Sequence, residues 1–202
     1  MDEKKALNDW LNEFLNIKIN DYDHLPDIDL YINQVIKYVD AMMEPYKDNL
    51  QDVQITSNMI NNYVKGELIP SPLKKRYYRE HLSRIYEVLT LKKVLSMTEV
   101  KQIEDERYKD GKKPSDVYDD FNRKYKTEIE AITSDTFSKL DDIKDSDDYE
   151  SYINLATEYA MISTIYATIS KKILYITRHI KELKENEEKE KELLDEAHKK
   201  KN

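Results

Sequence analysis

An all-α fold is predicted from three observations. Two glycines and five prolines in 202 residues are too few for the many tight turns of an all-β chain. Charged residues make up 37% and apolar ones 39%, a mixture that suits long solvated helices. Apolar side chains recur at helical spacing in segment after segment. The composition also narrows the chemistry. There is no cysteine, which excludes disulfides, zinc fingers and thiol nucleophiles. No apolar run approaches bilayer length, and the polar N-terminus MDEKKALNDW is unlike a signal peptide, so a cytoplasmic protein is expected.

Residues 5–17 place Leu7, Trp10, Leu11, Phe14 and Leu15 on one stripe, predicting a short helix that docks on the module behind it, with Trp10 and Phe14 as core anchors. The link DYDHLPDIDL lacks the glycine and the terminal Glu of a calcium loop and reads as a solvated turn, with Asp29 as a helix cap. Residues 30–43 put Ile32, Val35, Ile36, Val39 and Met43 on one face. Pro45 marks a bend, and about ten residues separate this helix from the next, against roughly 3–4 in a standard helix-turn-helix.

Residues 54–104 carry the functional signal. A helix over 56–66 buries Met59, Ile60, Tyr63 and Val64 and exposes Ser57, Asn58, Asn61, Asn62 and Lys65. Asparagine is a poor helix former, but its amide offers a donor and an acceptor that match an adenine edge in the major groove. Leu68-Ile69-Pro70-Ser71-Pro72 cannot continue the helix. Lys74, Lys75 and Arg76 follow. Between residues 60 and 93 eight cations face three anions, a balance of +5 in a chain of formal charge -8. Phosphate attraction follows such local charge rather than the total.

Leu82, Ile85, Tyr86 and Leu89 turn inward from a helix over 79–90. Ser96-Met97-Thr98-Glu99 is a capping box that opens another over 97–108. Lys109 to Pro114 ends it and divides the second from the third of three predicted regions: 1–24, an N-terminal helix and link; 25–110, a helix-turn-helix domain; and 111–202, an acidic helical region. From 114 to 150 twelve acids face five bases. Val117, Phe121, Tyr125, Ile129, Ile132, Leu140 and Ile143 mark one face there. Ser146-Asp147-Asp148 caps a last helix. In it Leu155, Tyr159, Ile162, Tyr166, Ile169, Ile173, Ile176, Ile180 and Leu183 alternate steps of four and three. That is a heptad seam, which either packs within the chain or joins two copies in a coiled coil. Beyond Glu182 only Leu193 and Leu194 continue the pattern.

The blocks "INNY", "LIPSP", "KKRYY" and "LKKVLSMTE" resemble the DNA-binding module of MerR-type regulators, with Ile60, Tyr63, Leu68, Ile69, Pro70, Arg76, Tyr77, Leu82, Ser96 and Glu99 on the family's places. Residues 25–104, with "LPDIDLY", "MINNYVK" and "REH", resemble still more closely a bacterial domain of unknown function, family 1836. Three departures stand out. Gly66 sits one place early, so Glu67 occupies the slot where a left-handed helix end is expected. Tyr78 replaces a capping Ser, and the wing is only a few residues long.

The resemblance implies a MerR-like winged helix-turn-helix with a very short wing, followed by a long-helix bundle or coiled coil. It implies a transcriptional regulator that binds double-stranded DNA as a homodimer joined by the C-terminal helix. In that reading Ser57, Asn58 and Asn61 touch base edges, with Asn62 and Lys65 beside them. Lys74, Lys75, Arg76 and Arg79 hold phosphates, with a hydroxyl from Tyr63 or Tyr77. The alternative is a helical protein–protein interaction module without DNA binding. No Gly-rich phosphate loop, G-x-S-x-G or H-E-x-x-H is present, and the four histidines lack ligand spacing, so neither catalysis nor a metal or other cofactor is expected. His81 is expected to serve the fold or contact a backbone. No effector ligand and no DNA target can be named.

Overall fold

The computed structural model describes residues 3–44, 55–144 and 148–199, with side chains described up to residue 193. Among these the chain forms seven α-helices: α1 Glu3–Leu15, α2 Ile32–Met43, α3 Ser57–Lys65, α4 Arg79–Leu91, α5 Met97–Arg107, α6 Pro114–Asp142 and α7 Tyr149–Lys199. No strand is present among the described residues. Two isolated antiparallel bridges, Leu30–Tyr77 and Leu73–Arg76, are the extended pairings seen there. The all-α class stands. Pro45 and residues 46–54 lie outside the described residues, as do the capping residues Ser146 and Asp147 and the side chain of Leu194. No helix among the described residues is long and apolar enough to cross a membrane.

The chain divides into two compact units, Met1–Glu158 and Tyr159–Asn202. The core of the first unit is built where the apolar stripes meet. Val35, Val39 and Met43 from α2, Ile60 and Tyr63 from α3, and Leu82, Ile85, Tyr86 and Val88 from α4 are all buried. α4 is the central helix, packed on α2 and on α6. Between α3 and α4, Leu68 and Ile69 enter the core, so the loop that proline forbids from being helical is anchored by its own apolar residues.

Each helix start has an identifiable cause. Thr56 caps α3 by accepting the Met59 N–H at 3.2 Å. The capping box predicted at Ser96 and Glu99 is present, with the Ser96 N–H donating to the Glu99 carboxylate at 2.7 Å. At α4 the missing Ser is replaced by His81, whose Nδ1 accepts the Tyr78 N–H at 3.0 Å. That bond leaves the proton on Nε2, which faces the Ser71 carbonyl at 3.5 Å. Burial holds the His81 pKa below its ordinary value, in keeping with a neutral structural ring. Pro114 occupies the first position of α6, where its missing N–H costs nothing. Asp148 accepts the Ser151 N–H at the start of α7.

Several expectations fail. α1 docks on the far end of α6, with Leu11 buried against Leu140 and Ile143, rather than on the module that follows it. Trp10 is not a core anchor: the residue is 53% exposed, and its ring stacks on half-buried Phe14 at 5.2 Å. Ile132 is 54% exposed, because α6 turns Thr133 and Asn122 inward beside Ile129 and Tyr118. Asp29 caps nothing. α2 starts instead at Tyr31, whose N–H donates to Gln34, and Asp29 pairs with Arg76. The start of α7 closes the first unit through Tyr152 and Leu155 on the Leu11 cluster and through Lys139–Glu158 at 2.7 Å.

Among its described residues the second unit is a single helix. Along it Tyr166, Ile169, Ile173, Ile176, Ile180 and Leu183 are exposed, the least of them by 44%. One helix cannot cover its own apolar stripe, so this unit by itself leaves the seam in water.

Candidate nucleic-acid interface

The exit from α3 shapes the site. The Leu68 N–H donates to the Tyr63 carbonyl at 2.9 Å and the Glu67 N–H to the Val64 carbonyl at 3.0 Å. This pair of bonds is a Schellman motif, which requires a left-handed residue after the cap. Glu67 supplies it at φ 55°, whereas Gly66 lies at φ -82°. A Cβ at Gly66 would lie 3.0 Å from the terminal methyl of Met97 and 3.2 Å from the Asn62 carbonyl, so a side chain there fits once the flexible end of Met97 shifts.

Seven residues farther on the chain reverses in two residues. Lys74 and Lys75 lie at φ 50° and 64°, and the Arg76 N–H donates to the Leu73 carbonyl at 2.9 Å. Positive φ at both central positions belongs to the type I′ turn, which favours Asn-Gly. Two lysines there store roughly 1–2 kcal/mol of backbone strain each. Both side chains are exposed, and among the described residues no ion pair engages Lys74, Lys75 or Lys65.

The polar face of α3 meets the base of this turn across one groove of about 470 Å³, lined by Asn58, Asn61, Asn62, Val64, Lys65, Pro72 and Tyr77. Of the candidate residues, Asn58, Asn61 and Lys65 therefore share a concave surface. Ser57 is half-buried at the start of α3 and does not line the groove. Tyr63 and Tyr77 are buried in the core, although Tyr77 reaches the groove wall.

Arg76 and Arg79 stand apart from the lysines. Arg76 Cζ lies over the Tyr31 ring, 3.4 Å from its centroid, while the guanidinium donates to the Tyr31 hydroxyl and pairs with Asp29 at 3.4 Å. Arg79 Nε donates to the Leu25 carbonyl at 3.1 Å, while Nη1 reaches Asp23 at 3.3 Å and Nη2 reaches Asp27 at 3.5 Å. With the Leu30–Tyr77 bridge, these contacts fix residues 23–31 against the start of α4.

A second cluster lies beneath. Glu87 and Glu104 are 0% and 1% exposed. Arg107 Nη1 contacts Glu87 at 3.2 Å and Glu104 at 3.5 Å, and Arg84 Nη1 contacts Glu104 at 3.5 Å. The Tyr108 hydroxyl donates to Glu87 at 3.0 Å. Arg107 Nη2 donates to the Val117 carbonyl at 2.8 Å, which ties α4 and α5 to the first turn of α6. Burial, and then the neighbouring Glu87 charge, push the Glu104 pKa up to about 8 against the pull of Arg107 and Arg84, so the pair retains a proton at neutral pH. This hub was not read from the sequence. Its signal was a mirrored pattern, R-x-x-E at Arg84 and Glu87 on α4 against E-x-x-R at Glu104 and Arg107 on α5.

No curated protein and no solved structure matches the chain. The family described as Domain of unknown function (DUF1836) matches residues 20–127, which hold α2 to α5, the groove, the strained turn and the hub, and make up more than half of the chain. The chain therefore belongs to the family of domains of unknown function 1836.

Proposed function

We propose that this protein is a cytoplasmic transcriptional regulator that binds double-stranded DNA, with α2 and α3 as a MerR-like helix-turn-helix and the Lys74–Lys75 turn as its very short wing. One observation carries the reading. The groove that collects Asn58, Asn61 and Lys65 opens at the base of a turn whose strained backbone holds in water two lysines with no ion-pair partner among the described residues. Strain of this kind persists where a site uses what it displays. Asparagine amides on a short exposed helix match base edges, and lysines beside them match phosphates. Ser57, Asn58 and Asn61 are the base-reading members, and Lys65, Lys74 and Lys75 the phosphate-holding ones. The reading has no catalytic step and needs no cofactor.

Two copies join through α7. The seam from Tyr159 to Leu183 runs about 37 Å at the helical rise, and a second copy of the same seam would cover it in register. A pair of such modules would meet two half-sites on one face of a duplex.

The test is selection of bound sequences from a random duplex pool, followed by anisotropy on the selected site. Asn61→Ala is expected to relax preference at one base pair and to cost about 1–3 kcal/mol on the selected site alone. Equal losses on every sequence would argue against base reading by α3. The exposed α7 stripe favours a second reading, a helical protein–protein interaction module without DNA binding. A DNA column separates the two, since a reader is retained at low salt despite a pI near 5.2 and an adaptor flows through.

A further inference from the structure

Arg76 and Arg79, two of the candidate phosphate contacts, are engaged differently from the lysines. Each guanidinium is oriented by one set of groups and neutralised by another. On Arg79, Nε is held by the Leu25 backbone carbonyl, while Nη1 and Nη2 point to the carboxylates of Asp23 and Asp27. On Arg76, Cζ rests over the Tyr31 ring and Nη2 donates to its hydroxyl, while Nε meets Asp29. The orienting groups are a backbone carbonyl and an aromatic ring, which carry no charge. The neutralising groups are three anions from one segment, residues 23–29. The side chains of Asp23 and Asp27 are 90% and 87% exposed. Exposed ion pairs are weak and screened by salt, so these carboxylates are readily exchanged for another oxyanion. A phosphate can replace the aspartates without disturbing the bonds that aim the arginines.

We propose that residues 23–29 act as a built-in competitor for phosphate: Asp23, Asp27 and Asp29 occupy two aimed arginines and so weaken sequence-independent attachment to DNA. The proposal rests on the DNA-binding reading above. In the free protein, Lys65, Lys74 and Lys75 are the candidate phosphate contacts without an ion-pair partner among the described residues, and the two arginines are held in reserve. The effect on grip strength is calculable. Each phosphate neutralised contributes about -0.9 to the slope of log affinity against log salt. Three lysines give a slope of about -3, and two released arginines move it towards about -5.

The experiment measures anisotropy of a short random-sequence duplex across about 50 to 200 mM salt, for the native chain and for D23N/D27N/D29N, with a thermal melt to confirm folding. The expected result is a slope steeper by about two and tighter binding on every sequence alike. Should the triple variant melt below the assay temperature, D29N alone serves, since it strips the anion from Arg76 and steepens the slope by about one. If the native chain binds but the variants match its slope and affinity, the competitor proposal is overturned and the DNA-binding reading survives. If neither native nor variant chain binds duplex DNA at any salt in the range, both fall together.

Discussion

The Lys74–Lys75 turn and the Glu87–Glu104 hub put charged residues to opposite uses within one small unit. At the hub, two carboxylates are taken out of water and surrounded by Arg84, Arg107 and the Tyr108 hydroxyl. At the turn, two cations are held in water on a backbone that lysine does not favour. The hub's charges answer one another and join three helices. Those of the turn have no such answer among the described residues. Charge that serves the fold is paired where it stands, and charge left over on a strained backbone is available to a ligand.

The hardest way to test the contrast is to break the hub. Arg107→Met would leave two buried carboxylates short of their shared cation and remove the bond to Val117. The expected loss is about 3–5 kcal/mol, read from urea unfolding. Removing charge from the turn should never cost that much. A loss at the hub below about 1 kcal/mol would mean that its ion pairs are as dispensable as surface ones.

The hub also carries a pH signature. Because the folded chain raises Glu104 from an ordinary 4.5 to about 8, the native state holds a proton that the unfolded chain releases earlier. This contribution is complete below about pH 4.5 and is lost as pH rises towards about 8. Thermal melts should therefore show a stability decline across that window, and Glu104→Gln should flatten it.

At the turn the signs reverse. Lys74→Asn with Lys75→Gly gives the type I′ turn its preferred residues. Stability should rise by about 1–2 kcal/mol, while the salt dependence of duplex binding should flatten by about two. A variant both more stable and equally good at binding would sink the idea that the strain serves contact. The smallest effect is expected at Glu67→Gly, which relieves the left-handed Schellman residue for a gain of about 0.5–1 kcal/mol. Duplex binding should be unchanged, which separates strain that shapes a helix end from strain that displays a charge.

Much of this was legible in the residues, and the gaps have physical causes. Ser96 and Glu99 announced a capping box because that motif is local and complete in four residues. Glu67 revealed its conformation by standing where a glycine was expected. A short basic wing was legible after Leu68-Ile69-Pro70-Ser71-Pro72, but its two-residue reversal at Lys74–Lys75 was not, because neither lysine signals a positive φ. Trp10 and Ile132 were misplaced because a stripe of apolar residues shows that a face exists without showing how much of it is covered. The hub was invisible for a related reason: four charged residues read as solvated until a partner helix buries them. Asp23, Asp27 and Asp29 read as a solvated turn because their arginine partners lie some fifty residues away.

The closing contact of the first unit sets a timetable for biosynthesis. Leu11 finds its cover on Leu140 and Ile143, and Lys4 Nζ donates to the Ile143 carbonyl at 3.1 Å. From Leu11 to Leu140 the ribosome must add 140 − 11 = 129 residues. At about 5–20 residues per second, the stripe of α1 waits roughly 6–26 s for its partner after emerging. Over that interval Leu7, Trp10, Leu11 and Phe14 form an uncovered apolar segment on the nascent chain. The apolar stripe of α1, made early, is thus secured late in the synthesis of its unit, and it is open to chaperone capture until then.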